Sequence, residues 1–243
     1  MKLVANLKLQ PSPEQRQALQ ETLERCNAAC DWLSERAWET QTFGQYALHK
    51  LCYAELRQCF HVAAQVAVRC IAKVADAYKG DTKTRRAFRQ HAAQPYDDRI
   101  FRLLSDDRVS LWALTGREKI AFVCGAHQRA LLAFRKGEVD LMFIRGEFYL
   151  AVVCDIDEPE AIDPEGVLGI DCGIVNLATD STGEKHSGAA VEAKRQRYAA
   201  RRRGLQARGT RAARRRLRKL SGRQRRFQQH TNHCLSKAIV SKA

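Results

Sequence analysis

The chain has 243 residues, 45% apolar and 28% charged, with 42 Lys/Arg against 27 Asp/Glu for a net charge of +15. That composition excludes general disorder, and no apolar run nears the ~18 residues that cross a bilayer, so no membrane partner is expected. MKLVANLKLQPS has no apolar core ahead of a small-residue cleavage site, and nine cysteines without a CxxC pair suit a reduced cytoplasmic protein better than a disulfide framework.

In chain order, Leu3, Ala5, Leu7 and Leu9 alternate over 2–9 and predict a strand that stops at Pro11. Ser12, Pro13 and Gln15 then form a capping-box start. A helix follows to about Thr40 on the stripe Leu19, Leu23, Cys26, Cys30, Leu33, Ala37. Gly44 breaks it, and helical patterns resume over about 45–58 and 61–79, the second with Val62, Val66, Cys70 and Val74. Residues 81–99, with Arg85, Arg86, Arg89 and Pro95, read as a basic connector. From Val109 the period shortens: VSLWAL, KIAFVCG, DLMFI and FYLAVVCDI are β-rich runs, with a hairpin at Arg145-Gly146. They predict a small β module, with strand 2–9 returning to pair within 109–157, because a lone strand is not stable. The acidic linker 155–166 closes it. A second unit opens with a strand, a tight turn and a strand over 167–184, and a basic helical segment ends it. No internal repeat is evident.

The charge is concentrated in that last segment. Residues 193–243 carry 18 Lys/Arg and no acid, which leaves the first 192 residues at −3. Such a block seeks a polyanion, nucleic acid first. Arginine's planar fork of donors matches phosphate oxygens, and the candidate contacts are Arg201, Arg202, Arg203, Arg208, Arg211, Arg214, Arg215, Arg218, Arg225 and Arg226. A merely solvated helix would mix signs. Ala213, Leu217, Leu220, Gln224, Phe227, Thr231, Cys234 and Ala238 recur at helical spacing across Ser221-Gly222 and predict one long helix after Thr210, one face packed and the other free.

The other motif is Gly169-Ile170-Asp171-Cys172-Gly173-Ile174-Val175-Asn176. A strand delivers Asp171 at its end, Gly173 lets the backbone turn, and Asp171 could ligate Mg²⁺, which takes hard oxygen ligands. The same pattern suits an Asp that only closes a turn. An RNase H-like nuclease and an actin-like ATPase both place an Asp there, and the 72 residues after Asp171 are too few for the second. Cys26 and Cys30 fall on the apolar stripe and read as core. His49, Cys52, Cys59 and His61 lack a zinc spacing, and Trp32, Trp38 and Trp112 read as core rather than as base-stacking platforms.

At these residues the sequence resembles the TnpB/OrfB family of insertion-sequence proteins, relatives of the type V CRISPR effectors. The matching phrases are AQPYDDR (93–99), VSLWALTGREKIAFVCG (109–125), GEFYLAVVCDID (146–157), GIDCGIVNLATDSTGE (169–184) and the Arg-rich tail 201–240. The resemblance implies an α+β chain. A small β-barrel wedge domain (1–10 plus 92–158) would carry a helical recognition-like insertion (11–91). An incomplete RNase H-like (RuvC) α/β domain with a long basic helix (159–243) would follow. It also implies transposition, a guide RNA, a target DNA and Mg²⁺-dependent cleavage in a prokaryotic cytoplasm at the nucleoid, with Asp171 as the first RuvC carboxylate. The family's second and third acids and its CxxC…CxxC zinc ribbon have no counterpart here, since no acid follows Glu192. The expectation is a C-terminally truncated, zinc-free chain that binds nucleic acid without cleaving it, because two-metal cleavage needs several shared carboxylates. A DNA-binding transposase accessory, or a repressor acting by occupancy, is the alternative. No compact helix-turn-helix with a short Gly-containing turn supports the accessory reading.

Overall fold

The computed structural model describes residues 1–158, 160 and 163–242; Pro159, Ala161 and Ile162 of the acidic linker lie outside the described residues. Two compact units divide at the linker, Met1–Pro159 and Glu160–Ala243.

The first unit is built on a seven-stranded antiparallel sheet. Its strands are β1 (Lys2–Gln10), β2 (Gln94–Tyr96), β3 (Phe101–Leu103), β4 (Arg108–Ala113), β5 (Gly116–Val123), β6 (Arg135–Ile144) and β7 (Glu147–Asp155), in the order β2-β6-β7-β1-β5-β4-β3. β1 is therefore central. It pairs with β7 (Leu7 opposite Leu150) and with β5 (Leu9 opposite Phe122). The sheet curls into a nearly closed barrel. Its two outermost strands, β2 and β3, are consecutive in the chain, and Trp112 of β4 reaches both sides of their junction. The Trp112 amide donates to the Ile100 carbonyl at 2.9 Å, and the Tyr96 hydroxyl donates to the Trp112 carbonyl at 3.0 Å. Period-two alternation puts Ala5, Leu7 and Leu9 inside with Phe148, Leu150, Val152, Val139 and Leu141, all buried. The β6–β7 hairpin turns at Arg145 (φ 56°) and Gly146 (φ 85°), two left-handed residues that match strand twist.

Three helices follow β1: α1 (Pro13–Glu39), α2 (Gln45–Phe60) and α3 (Ala64–Tyr78). α1 starts on the full capping box: the Gln15 amide donates to the Ser12 hydroxyl at 3.2 Å, and Gln15 Oε1 accepts from the Ser12 amide. The stripe Leu19 to Ala37 is fully buried and shares one continuous core with the barrel strands. Cys26 and Cys30 lie in that core, where burial pushes the Cys30 thiol well above its ordinary value. The three tryptophans pack partly buried against it. Val62 is buried, but it precedes α3, which starts at Ala64 rather than 61.

The stretch 81–99 is not a free connector. Asn27, Asp31 and Ser34, one helical face of α1, strap it down. Asn27 Nδ2 donates to the Gln90 and Ala92 carbonyls, Asp31 accepts from the Phe88 amide at 2.6 Å, and the Ser34 hydroxyl donates to the Arg86 carbonyl. Its end is strand β2, with Pro95 on an edge where no amide donor is needed. β3 and a short helix α4 (Ala126–Leu131) have no counterpart among the predicted elements, being only three and six residues long.

The second unit is a three-stranded antiparallel sheet in the order β10-β9-β8, from β8 (Ile170–Asp171), β9 (Asn176–Asp180) and β10 (Lys185–Ser187). The expected strand over 167–171 shrinks to two residues, and Val167 is 95% exposed. A helical hairpin follows: α5 (Ala189–Arg208), a turn at Gly209 (φ 61°), and α6 (Arg211–Val240), capped by Thr210. α6 runs unbroken through Ser221-Gly222. Beyond Phe227 its half-buried positions are Thr231, Leu235 and Ile239, whereas Cys234 and Ala238 are exposed. Steps of four replace the 4-3 alternation there, so the packed stripe drifts around the helix.

Candidate nucleic-acid interface

Asp171 ends β8, opposite Thr179 of β9, which in turn faces Lys185 of β10. The turn after it is close-fitted. A Cβ on Gly173 would lie 3.0 Å from the Asn176 carbonyl, and one on Gly188 would lie 2.6 Å from the Ile174 carbonyl. The Gly188 amide donates to the Val175 carbonyl at 2.8 Å, which ties the turn to the start of α5. The Asp171 side chain is exposed, and no group of three His, Cys, Asp or Glu residues gathers into a metal-holding cluster among the described residues.

The buried carboxylate of this unit is Asp180. It accepts from the Thr182 hydroxyl at 2.7 Å, the Thr182 and Glu184 amides, and Lys242 Nζ at 3.0 Å. Those bonds, the Thr182 hydroxyl first, hold its carboxyl below the ordinary value. Lys242 also pairs with Glu184, so the end of α6 is anchored on the β9–β10 hairpin.

Arg201, Arg202, Arg203 and Arg208 stand on α5, and Arg211, Arg214, Arg215, Arg218, Arg225 and Arg226 on α6; all ten are exposed. Among the described residues none of the ten forms an ion pair with a carboxylate. Arg202 instead donates to Gln224 Oε1 at 2.8 Å, and Lys194 Nζ lies 4.2 Å from the centre of the Phe227 ring. These contacts join the two helices. The hairpin brings Arg201 and Arg208 together with Arg216, Lys219 and Arg223 around a cleft of ≈ 560 Å³ whose apolar side is Leu205 and Leu220. Of that set, only Arg201 and Arg208 are among the arginines singled out from sequence. The rest are set by the helix pairing. Arg211, Arg214, Arg215 and Arg218 do not line the cleft.

A hairpin that exposes so many cations and pairs so few carries a concentrated positive field, the kind that attracts polyanions. Residues 151–243 match the family model OrfB_IS605, described as "Probable transposase". That match takes in 93 of the 243 residues, less than half of the chain. A solved structure titled as the cryo-EM structure of a CRISPR-Cas12f ternary complex is similar at 11% identity and TM-score 0.43. The match covers 92% of this chain and 60% of that one, so this chain spans less than two thirds of its length. No curated protein matches.

Proposed function

We propose that residues 1–243 are a nucleic-acid-binding portion of a TnpB-like RNA-guided DNA endonuclease, with guide RNA and target DNA as partners in a prokaryotic cytoplasm. The observation that carries this is the α5–α6 hairpin: 18 Lys/Arg and no acid over 193–243, on a surface anchored at both ends. In this reading the barrel (1–10 plus 92–158) is the wedge-like domain, α1–α3 the recognition-like insertion (11–91), and 159–243 the opening of a RuvC-like domain. Three antiparallel strands leading into a helix support the last assignment.

Asp171 would then be the first RuvC carboxylate and one oxygen ligand for Mg²⁺. The donors around it do not by themselves fit a two-metal centre, which shares several carboxylates between its ions. No cleavage step is assigned to residues 1–243, and no zinc.

Two measurements test the reading. Purified at low salt, the 243-residue chain should retain RNase-sensitive nucleic acid. Stripped and mixed with Mg²⁺, a guide from the element's end and a matched plasmid, it should bind without cutting. A stripped chain that binds neither RNA nor DNA at 50 mM salt refutes the binding, and guide-dependent cleavage that vanishes in Asp171→Ala refutes the division of labour.

A further inference from the structure

The cleft between α5 and α6 has an internal symmetry that the linear sequence hides. On α5, Arg201, Gly204, Leu205 and Arg208 spell Arg-x-x-Gly-Leu-x-x-Arg; on α6, Arg216, Lys219, Leu220 and Arg223 spell Arg-x-x-Lys-Leu-x-x-Arg. Every one of these eight residues lines the cleft. The spacing i, i+3, i+4, i+7 puts each set on one face of its helix. The hairpin runs antiparallel, and the Arg202–Gln224 hydrogen bond marks one limit of its register. With the Lys194–Phe227 contact on the other side of it, that bond brackets the register, and within the bracket Arg201 falls across from Arg223, Gly204 from Leu220, and Arg208 from Arg216. The two octets are thus related by a local twofold, with an arginine pair at each end and the leucines between.

This arrangement has a definite chemical complement. The seven-residue separation of the arginines on each helix is ~10.5 Å along the axis. No acid lies anywhere in 193–243 to neutralise the five cations, so their mutual repulsion is relieved only by anions from outside. Phosphate suits the paired guanidinium forks at each end. Between them the leucines offer an apolar contact, and at Gly204 the cleft is open: a Cβ there would meet nothing within 4 Å. The volume falls in the range of small-ligand sites.

We propose that this cleft binds one unstacked nucleotide of a single strand. Its base lies on Leu205 and Leu220, and its 5′ and 3′ phosphates are held by the Arg201/Arg223 and Arg208/Arg216 pairs. The ligand class is a nucleoside 3′,5′-bisphosphate unit. The inference rests on the reading of the hairpin as a nucleic-acid surface and goes beyond it by naming a discrete site and a stoichiometry of one.

Adenosine 3′,5′-bisphosphate is the probe, titrated calorimetrically into the stripped 243-residue chain. Saturable one-to-one binding is expected, at least tenfold tighter than 5′-AMP, which satisfies only one arginine pair. The decisive variant is Gly204→Leu, which fills the opening without removing a cation and without opposing the helix. It should weaken the bisphosphate at least tenfold while leaving the salt dependence of binding to a 20-nucleotide single strand within one unit of slope. In that strand a single 2-aminopurine should brighten on binding to the unaltered chain and not to Gly204→Leu. Equal affinity for the two nucleotides, or a bisphosphate affinity untouched by Gly204→Leu while the strand still binds, overturns the site alone. Failure of the strand to bind either protein overturns the hairpin reading beneath it.

Discussion

Replacing Arg211, Arg214, Arg215 and Arg218 together by Gln separates a phosphate-tracking helix from a solvated one. All four are exposed and lie off the packed positions Ala213, Leu217 and Leu220, and Gln is close to Arg in helix propensity, so α6 should stay folded. Each phosphate contact contributes about 0.9 to the slope of log affinity against log salt on duplex DNA. Four lost contacts should flatten the slope by ~3.6. Between 50 and 200 mM salt the variant should therefore lose ~150-fold less affinity than the unaltered chain, whose own loss with 6–10 contacts would be roughly 10³–10⁵. Fluorescence anisotropy with a labelled duplex, titrated at several salt concentrations, reads the slope directly, with circular dichroism confirming unchanged helix content. The effect should be the same for unrelated sequences, because phosphate contacts position without specifying. An unchanged slope in the fourfold variant would mean that this face of α6 touches no phosphate.

Two further predictions concern stability. Leu7→Ala empties a fully buried position facing Leu150 at the centre of the barrel and should cost about 2–5 kcal/mol in urea unfolding; less than about 1 kcal/mol would mean that the barrel interior collapses around the gap. Asp180, whose carboxyl the Thr182 hydroxyl and Lys242 hold below the ordinary value, stabilises its hairpin above the unfolded carboxylate pKa and loses that contribution as pH falls through the lower folded value. Hydrogen-exchange protection of the β9–β10 amides, corrected for intrinsic rates, should fall as pH drops from about 5 toward 3. In Asp180→Asn it should be low throughout and nearly flat, and a pH dependence that survives in the Asn variant would refute the assignment.

Much of the fold can be read from the sequence because local rules and burial agree there. Ser12-Pro13 with Gln15 marks the start of α1, alternation in KLVANLKL marks a half-buried strand, and the 4-3 stripe of α1 is its buried face. Where they misled, the cause is length or context. β3 has three residues, too few to show a period. β2 is a strand only because β6 lies beside it, and the connector before it is held by Asn27, Asp31 and Ser34, polar residues that a hydrophobic stripe ignores. Of the basic surface, the excess of arginine is plain in composition. Which arginines meet is not, because Arg216 and Arg223 join Arg201 and Arg208 only through the antiparallel register of two helices. The paired Arg-x-x-x-Leu-x-x-Arg octets were the available signal, recognisable once the helices are known to run side by side. Lys242, distant in sequence from Asp180, had no local signal at all.

The central position of β1 bears on how the protein is made. β1 has both neighbours encoded far downstream: its partner residues on β5 begin near residue 121, and those on β7 extend to Asp155. At a synthesis rate of about 5–20 residues per second, Leu7 waits roughly 7–30 s for Leu150 to be added. During that interval the helices of 13–78, whose contacts are close in sequence, can already pair with one another, while β1 presents two unpaired edges. The barrel thus closes after the helices have had time to form, and β1 is a segment that needs shelter, from the helices that follow it or from a chaperone, until β7 arrives.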